Sequence, residues 1–328
     1  MTIKTLDKVA ICHVDCQIWS GRKKLNEDDL TQVNQQQLPS KEVASLGSKK
    51  ICDPDVLRQF MQSRRAAKTV CERVGIRFLS GYAIPVSRID EVTRQLDDIA
   101  VRFKTKKSQF LAQYDDVIRS WINKHPDFSD AIRRAVVPVA DVARKLHFDY
   151  AVYQVKPGPD ERQLQNKVDG MGQTLFREVS RDAADLFAKS ITGEPKVSQR
   201  AVTSLKQLRH KLDGLAFLDR RVQPVVSAMD DLFQRLPLKG AVEGSLYHEI
   251  TAMVLMMADE SKLQQFGEGK LSLSDSDWLP QSVASVMPAT TARVHLSPPV
   301  SVVATPDIQS STAPEPLSDQ PGGSSFYF

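Results

Sequence analysis

His248-Glu249 opens an H-E-x-x-H pattern, in which two histidines one helical turn apart bind zinc while the glutamate serves as base. Ala252 stands where the second histidine belongs, so the pair reads as the polar flank of a buried helix. Gly269-Lys270 ends like a phosphate loop, G-x-x-x-x-G-K-[ST]. Gln264 replaces its first glycine and Leu271 its hydroxyl, which removes both the backbone cradle and the metal contact. Gly170-Met171-Gly172 lacks a preceding strand and a third glycine, so it is not a dinucleotide turn. The carboxylate pairs Asp97-Asp98, Asp115-Asp116 and Asp230-Asp231 all fall on expected helices. Neighbours there point about 100° apart and cannot share one site as acid and base.

The four cysteines are Cys12, Cys16, Cys52 and Cys71. Cys12 and Cys16 share one face of an expected strand, about 13–14 Å apart along it, too far for a disulfide or a shared metal ion. They read as small buried hydrophobes in a reducing compartment. The six histidines show no ligand spacing. No catalytic residue, metal ligand or cofactor site is therefore assigned, and binding is favoured over catalysis.

Two kinds of binding residue remain. Basic clusters stand at Arg22-Lys23-Lys24, Lys49-Lys50, Arg64-Arg65, Lys104 with Lys106-Lys107, and Arg133-Arg134. Arg22, Lys23, Lys24, Lys49 and Lys50 flank one N-terminal region and would form a phosphate or nucleic-acid patch if the fold brought them together. Residues 1–270 hold 43 basic and 35 acidic side chains, a net of +8, while the remainder is acidic. The second kind is the terminal Phe326-Tyr327-Phe328, which follows Gly-Gly-Ser-Ser. These aromatics would anchor a protein partner, with the terminal carboxylate captured alongside.

The elements that position these residues follow from periodicity. Residues 9–19 alternate, with Ala10, Cys12, Val14, Cys16 and Ile18 on one face, and predict a strand. Asp53-Pro54 caps a helix that Gly75 closes, and a strand or hairpin follows over 76–84. Ser87 starts a helix to about His125, with Ile89, Val92, Leu96, Ile99, Phe103, Phe110 and Val117 as a heptad-like stripe; its length would be on the order of 55 Å. Further helices are expected at 129–146 (with Pro138 inside), 161–190, 198–212, 220–236 and 245–266, and a strand at 148–155. Gly170 and Gly172 weaken the 161–190 helix by roughly 1 kcal/mol each.

The expected fold is α+β and predominantly helical: a long antiparallel coiled-coil-like helix pair, a small sheet and a disordered C-terminal tail. Its divisions are 1–86, a strand and helix region; 87–195, the helical hairpin; 196–267, a helical subdomain; and 268–328, a Ser/Pro-rich tail. The stripe leaves open whether its mate is residues 161–190 or a second copy. With no apolar leader and no run of about 20 apolar residues, a cytoplasmic protein without membrane contacts is expected.

Several segments carry a resemblance. They are Ile18-Trp19-Ser20-Gly21-Arg22-Lys23-Lys24-Leu25, Ala44-Ser45-Leu46-Gly47-Ser48-Lys49 leading into Ile51-Cys52-Asp53-Pro54, Phe78-Leu79-Ser80-Gly81-Tyr82-Ala83-Ile84-Pro85, and Lys211-Leu212-Asp213-Gly214-Leu215-Ala216-Phe217-Leu218-Asp219. Together they resemble the bacterial domain-of-unknown-function 3150 family over roughly residues 5–265. The resemblance implies a phage- or mobile-element protein beside a MoxR-like AAA+ ATPase and a von Willebrand A-type protein. It supplies no activity and no catalytic residues. The function expected is a non-enzymatic interaction or adaptor protein; the alternative is nucleic-acid binding by the basic body.

Overall fold

The computed structural model describes residues 3–26, 29, 47–158 and 162–273. The expected tail at 268–328 lies almost wholly outside them. The strand with the alternating pattern forms as β1 (Val9–Gln17). It is one of the two inner strands of an antiparallel sheet ordered β4-β5-β1-β6, with β4 at Ile76–Phe78, β5 at Gly81–Pro85 and β6 at His147–Tyr153. The 76–84 segment is thus a hairpin, Phe78 opposite Gly81.

The sheet is covered on both faces at its β4–β5 end. Val9 and Ile11 enter a core with Ile76, Phe78, Ala83 and residues of the later helices. Ala10 and Cys12, pointing the other way, enter a second core with Tyr82, Ile84 and the earlier helices. That is why β1 is buried on both sides over Val9–Cys12 and is only half-buried over His13–Cys16.

The earlier helices are α1 (Ile3–Leu6), α2 (Pro54–Val74), α3 (Ile89–Ala112), α4 (Tyr114–Lys124), α5 (Ser129–Arg133) and α6 (Val139–Lys145). Asp53 caps α2 as its sequence predicts, accepting from the N–H of Asp55. Gly75 ends it as expected, but not in the left-handed conformation common at helix ends. Its backbone is extended, φ −127°, and a Cβ there would stand 2.5 Å from the carbonyl oxygen of Ala83. The glycine is needed for close approach to β5. The long helix starts at Ile89, without a Ser87 cap, and breaks at Gln113 (φ −103°, ψ 6°). Pro138 divides α5 from α6 and precedes α6 directly.

The later helices are α7 (Arg162–Asp169), α8 (Met171–Ser190), α9 (Gln199–Gly214), α10 (Val222–Arg235), α11 (Ser245–Met257) and α12 (Glu260–Gly267). Gly170 splits the expected 161–190 helix, and Asp259 caps α12 where one long helix was expected.

The expected pairing of the two long helices does not occur. The first half of the α3 stripe (Val92, Leu96, Ile99) packs with α2 and the sheet; Phe103 and Phe110 pack with Trp19, Phe60 and Tyr114. The α8 stripe (Met171, Leu175, Val179, Ala183) fills the core on the opposite sheet face with α9–α12. The sheet lies between the two stripes. The central residues of both stripes, Val92 to Phe110 on α3 and Met171 to Ala183 on α8, are buried within the chain. The described residues from 3 to 273 all belong to one compact unit.

Candidate functional site

The strongest constellation is a separate two-stranded ribbon, β2 (Arg22–Lys24) and β3 (Ser48–Lys50). It pairs Arg22 with Lys50, Lys23 with Lys49 and Lys24 with Ser48. All five residues expected to form a phosphate patch therefore stand on one structure. Its base is fixed by turn geometry and apolar anchors. Gly21 has φ +64°, a conformation glycine adopts at no steric cost. Its carbonyl accepts from the N–H of Ile51 at 2.8 Å. Trp19 and Ile51 are buried in the aromatic core with Phe60, Phe110 and Tyr114.

The ribbon sets like charges directly opposite each other, an arrangement that destabilises a strand pair. One of the two pairs is relieved. The ammonium of Lys49 lies 2.5 Å from the carboxylate of Asp29, which is 3% exposed. Asp29 also accepts from the N–H of Asn26 and faces Arg134 at 3.5 Å. Burial works against the ionised carboxylate, but Lys49, Asn26 and Arg134 outweigh it and hold Asp29 below the usual carboxylate pKa. Through Asp29 the cluster at Arg133-Arg134 is drawn to the ribbon.

The second pair is not relieved. Arg22, Lys23, Lys24 and Lys50 are exposed, and none has an acidic partner among the described residues. Because alternate residues face opposite sides, Lys49 points inward to Asp29 with Lys23 on its face; Arg22, Lys24 and Lys50 share the other. The ribbon borders α4, where the indole N–H of Trp121 donates to the carbonyl of Lys50 at 3.2 Å.

The other candidates separate. Arg64-Arg65 lies on α2 and Lys104 with Lys106-Lys107 on α3, each on its own helix. Phe326, Tyr327 and Phe328 lie outside the described residues. Cys12 and Cys71 meet at 3.6 Å between sulfur atoms in the second core, and all four cysteines are free thiols. Glu249 pairs with Arg235 at 2.5 Å, on the flank of α11 where His248 also sits. Among the described residues, no group of three or more His, Cys, Asp or Glu could hold a metal ion, and no helix is long and apolar enough to cross a membrane.

A second charged site gave no sequence signal. Lys211 on α9 is 2% exposed, and its ammonium lies 2.9 Å from Glu178 on α8. The other oxygen of Glu178 accepts from the N–H of Arg77 in β4 at 2.9 Å. Lys211 lines a cavity of about 190 Å3 together with Glu72, Arg73, Asp182 and Ser204. The Lys211–Glu178 pair joins two helices to the sheet edge, inside one of the segments that carried the family resemblance.

A family model described as a protein of unknown function (DUF3150) matches residues 6–259. The chain belongs to the DUF3150 family. The match spans the ribbon, the sheet and helices α2 to α11, and stops just before α12. No curated protein and no solved structure matches the chain.

Proposed function

We propose that this DUF3150 protein is a binding protein rather than an enzyme, and that it holds the phosphate backbone of a nucleic acid on the β2–β3 ribbon. The observation that carries this reading is the pairing of Arg22 with Lys50 in a ribbon whose four exposed cations have no acidic partner among the described residues. A fold that sets like charges opposite each other without a counter-ion keeps a locally unfavourable arrangement, and such exceptions concentrate at functional sites. A polyanion would relieve it, with release of counterions as a further driving force.

The adaptor reading had drawn on the helical stripe and the terminal aromatics. The stripe is occupied inside the chain, and Phe326, Tyr327 and Phe328 lie outside the described residues. Its remaining support is the resemblance that suggested an AAA+ ATPase nearby, so it ranks second. The direct test of the leading reading is retardation of a labelled oligonucleotide by the full chain at low salt. Retardation that the change Arg22→Ala with Lys24→Ala and Lys50→Ala abolishes supports the ribbon. Unchanged retardation would remove the ribbon from the account.

A further inference from the structure

The ribbon has an aromatic neighbour whose place is fixed. Trp121 is half-buried: part of its indole packs on the aromatic core, and its N–H is held by the Lys50 carbonyl at the edge of β3. His125 stands one helical turn on, exposed, with its ring 4.3 Å from that of Trp121 at 63°. His125 ends α4 with a non-helical backbone (φ −133°, ψ 65°), and the contact between the two rings is what sets them together. Lys50, which anchors Trp121 by its carbonyl, is also the residue directly opposite Arg22. The indole is thus tied through the Lys50 backbone to the strand position that pairs the two cations.

The Asp53 carboxylate does not spoil this surface. Asp53 caps α2 and faces Lys124 at 3.3 Å, so its charge is countered from α4 itself. On the ribbon the same is true of Asp29, countered by Lys49 and Arg134. The cations left over are those on the other face of the ribbon, Arg22, Lys24 and Lys50.

This pairing of rings with cations discriminates between nucleic acids. A duplex keeps its bases stacked inside and offers a side surface of phosphates and groove edges. A single strand exposes base faces that stack on aromatic side chains while its backbone follows basic residues. Resting on the phosphate-binding reading above, we infer that the ligand of the ribbon is a single-stranded nucleic acid. Its backbone runs along Arg22, Lys24 and Lys50, and a base stacks at Trp121 and His125. Stacking uses the π-face that every base has, so the site is tolerant of sequence.

The test uses the full chain carrying Trp278→Phe, which leaves Trp121 and the buried Trp19 as the fluorescent indoles. It is titrated with oligothymidylate and, separately, with a duplex of the same length. The expected result is about ten-fold tighter binding of the single strand, with quenching of the indole emission. His125→Ala should weaken single-strand binding several-fold without lowering the melting temperature, while Trp121→Phe, which keeps a ring, should retain most of it. Equal binding of single strand and duplex, with no quenching, would overturn the single-strand inference and leave the phosphate reading standing. Failure to bind either at low salt would overturn both.

Discussion

Lys211 and Lys50 place the same side chain in opposite situations. Lys211 is sealed in the core against Glu178, with the sheet edge hydrogen-bonded to the same carboxylate. Lys50 is exposed on a ribbon of cations and has no acidic partner among the described residues. Removing a charge from water is costly, so a buried ammonium persists only with a good partner, and its partner fixes where the elements sit. An exposed ammonium costs little and stabilises little. The comparison separates a charge that holds the fold from charges free to hold a ligand, and each can be tested alone.

The largest effect is expected at the buried pair. Lys211→Met removes the ammonium that faces the Glu178 carboxylate in the core and should lower stability by about 3–5 kcal/mol, read from urea unfolding. Adding Glu178→Leu should restore only part of that, because the Arg77 N–H then loses its acceptor, a cost of about 1–3 kcal/mol. Full restoration would mean that the carboxylate does not tie α8 to β4.

Next is Gly75→Ala. The new Cβ would meet the Ala83 carbonyl oxygen at 2.5 Å and the Ile84 side chain at 2.7 Å. Overpacking of this kind costs about 1–3 kcal/mol, and the melting temperature should fall accordingly. No change would show that β5 can move away from α2.

Asp29 belongs to both sides of the comparison, being a buried charge that serves the ribbon. Its pKa is lowered in the fold, so its stabilisation is complete above the ordinary carboxylate value and fades as pH falls through the lower folded value. Asp29→Asn should cost about 1–2 kcal/mol at neutral pH. The gap from the parent protein should close on acidification. A gap independent of pH would show that the charge of Asp29 is not what matters.

Much of the architecture was legible from sequence. The alternation of β1, the Asp53-Pro54 cap and the apolar stripes of the helices all appear where the pattern puts them. What the stripes pack against was not legible. A stripe says that a face is buried, not by what, and the sheet inserted between α3 and α8 gave each a different partner. The break at Gln113 had no glycine or proline to announce it, whereas the break at Pro138 did. The ribbon was half legible. Its five basic residues could be picked out, but two arms of three polar residues carry no periodicity, and their register comes from Gly21 and Ile51. Lys211 was invisible because lysine is so rarely buried that its position in the α9 stripe reads as an edge.

The smallest effect on stability should come from the ribbon. Arg22→Ala with Lys24→Ala and Lys50→Ala removes exposed, unpaired charges, so unfolding should shift by only about 0.5 kcal/mol per site. The same variant tests the central claim most directly when oligothymidylate binding is measured against salt concentration. The parent's affinity should fall linearly on a log–log plot, and the variant should bind weakly with a slope shallower by about two, close to 0.7 for each lost phosphate contact. Equal affinity and equal slope for the two proteins would contradict the account.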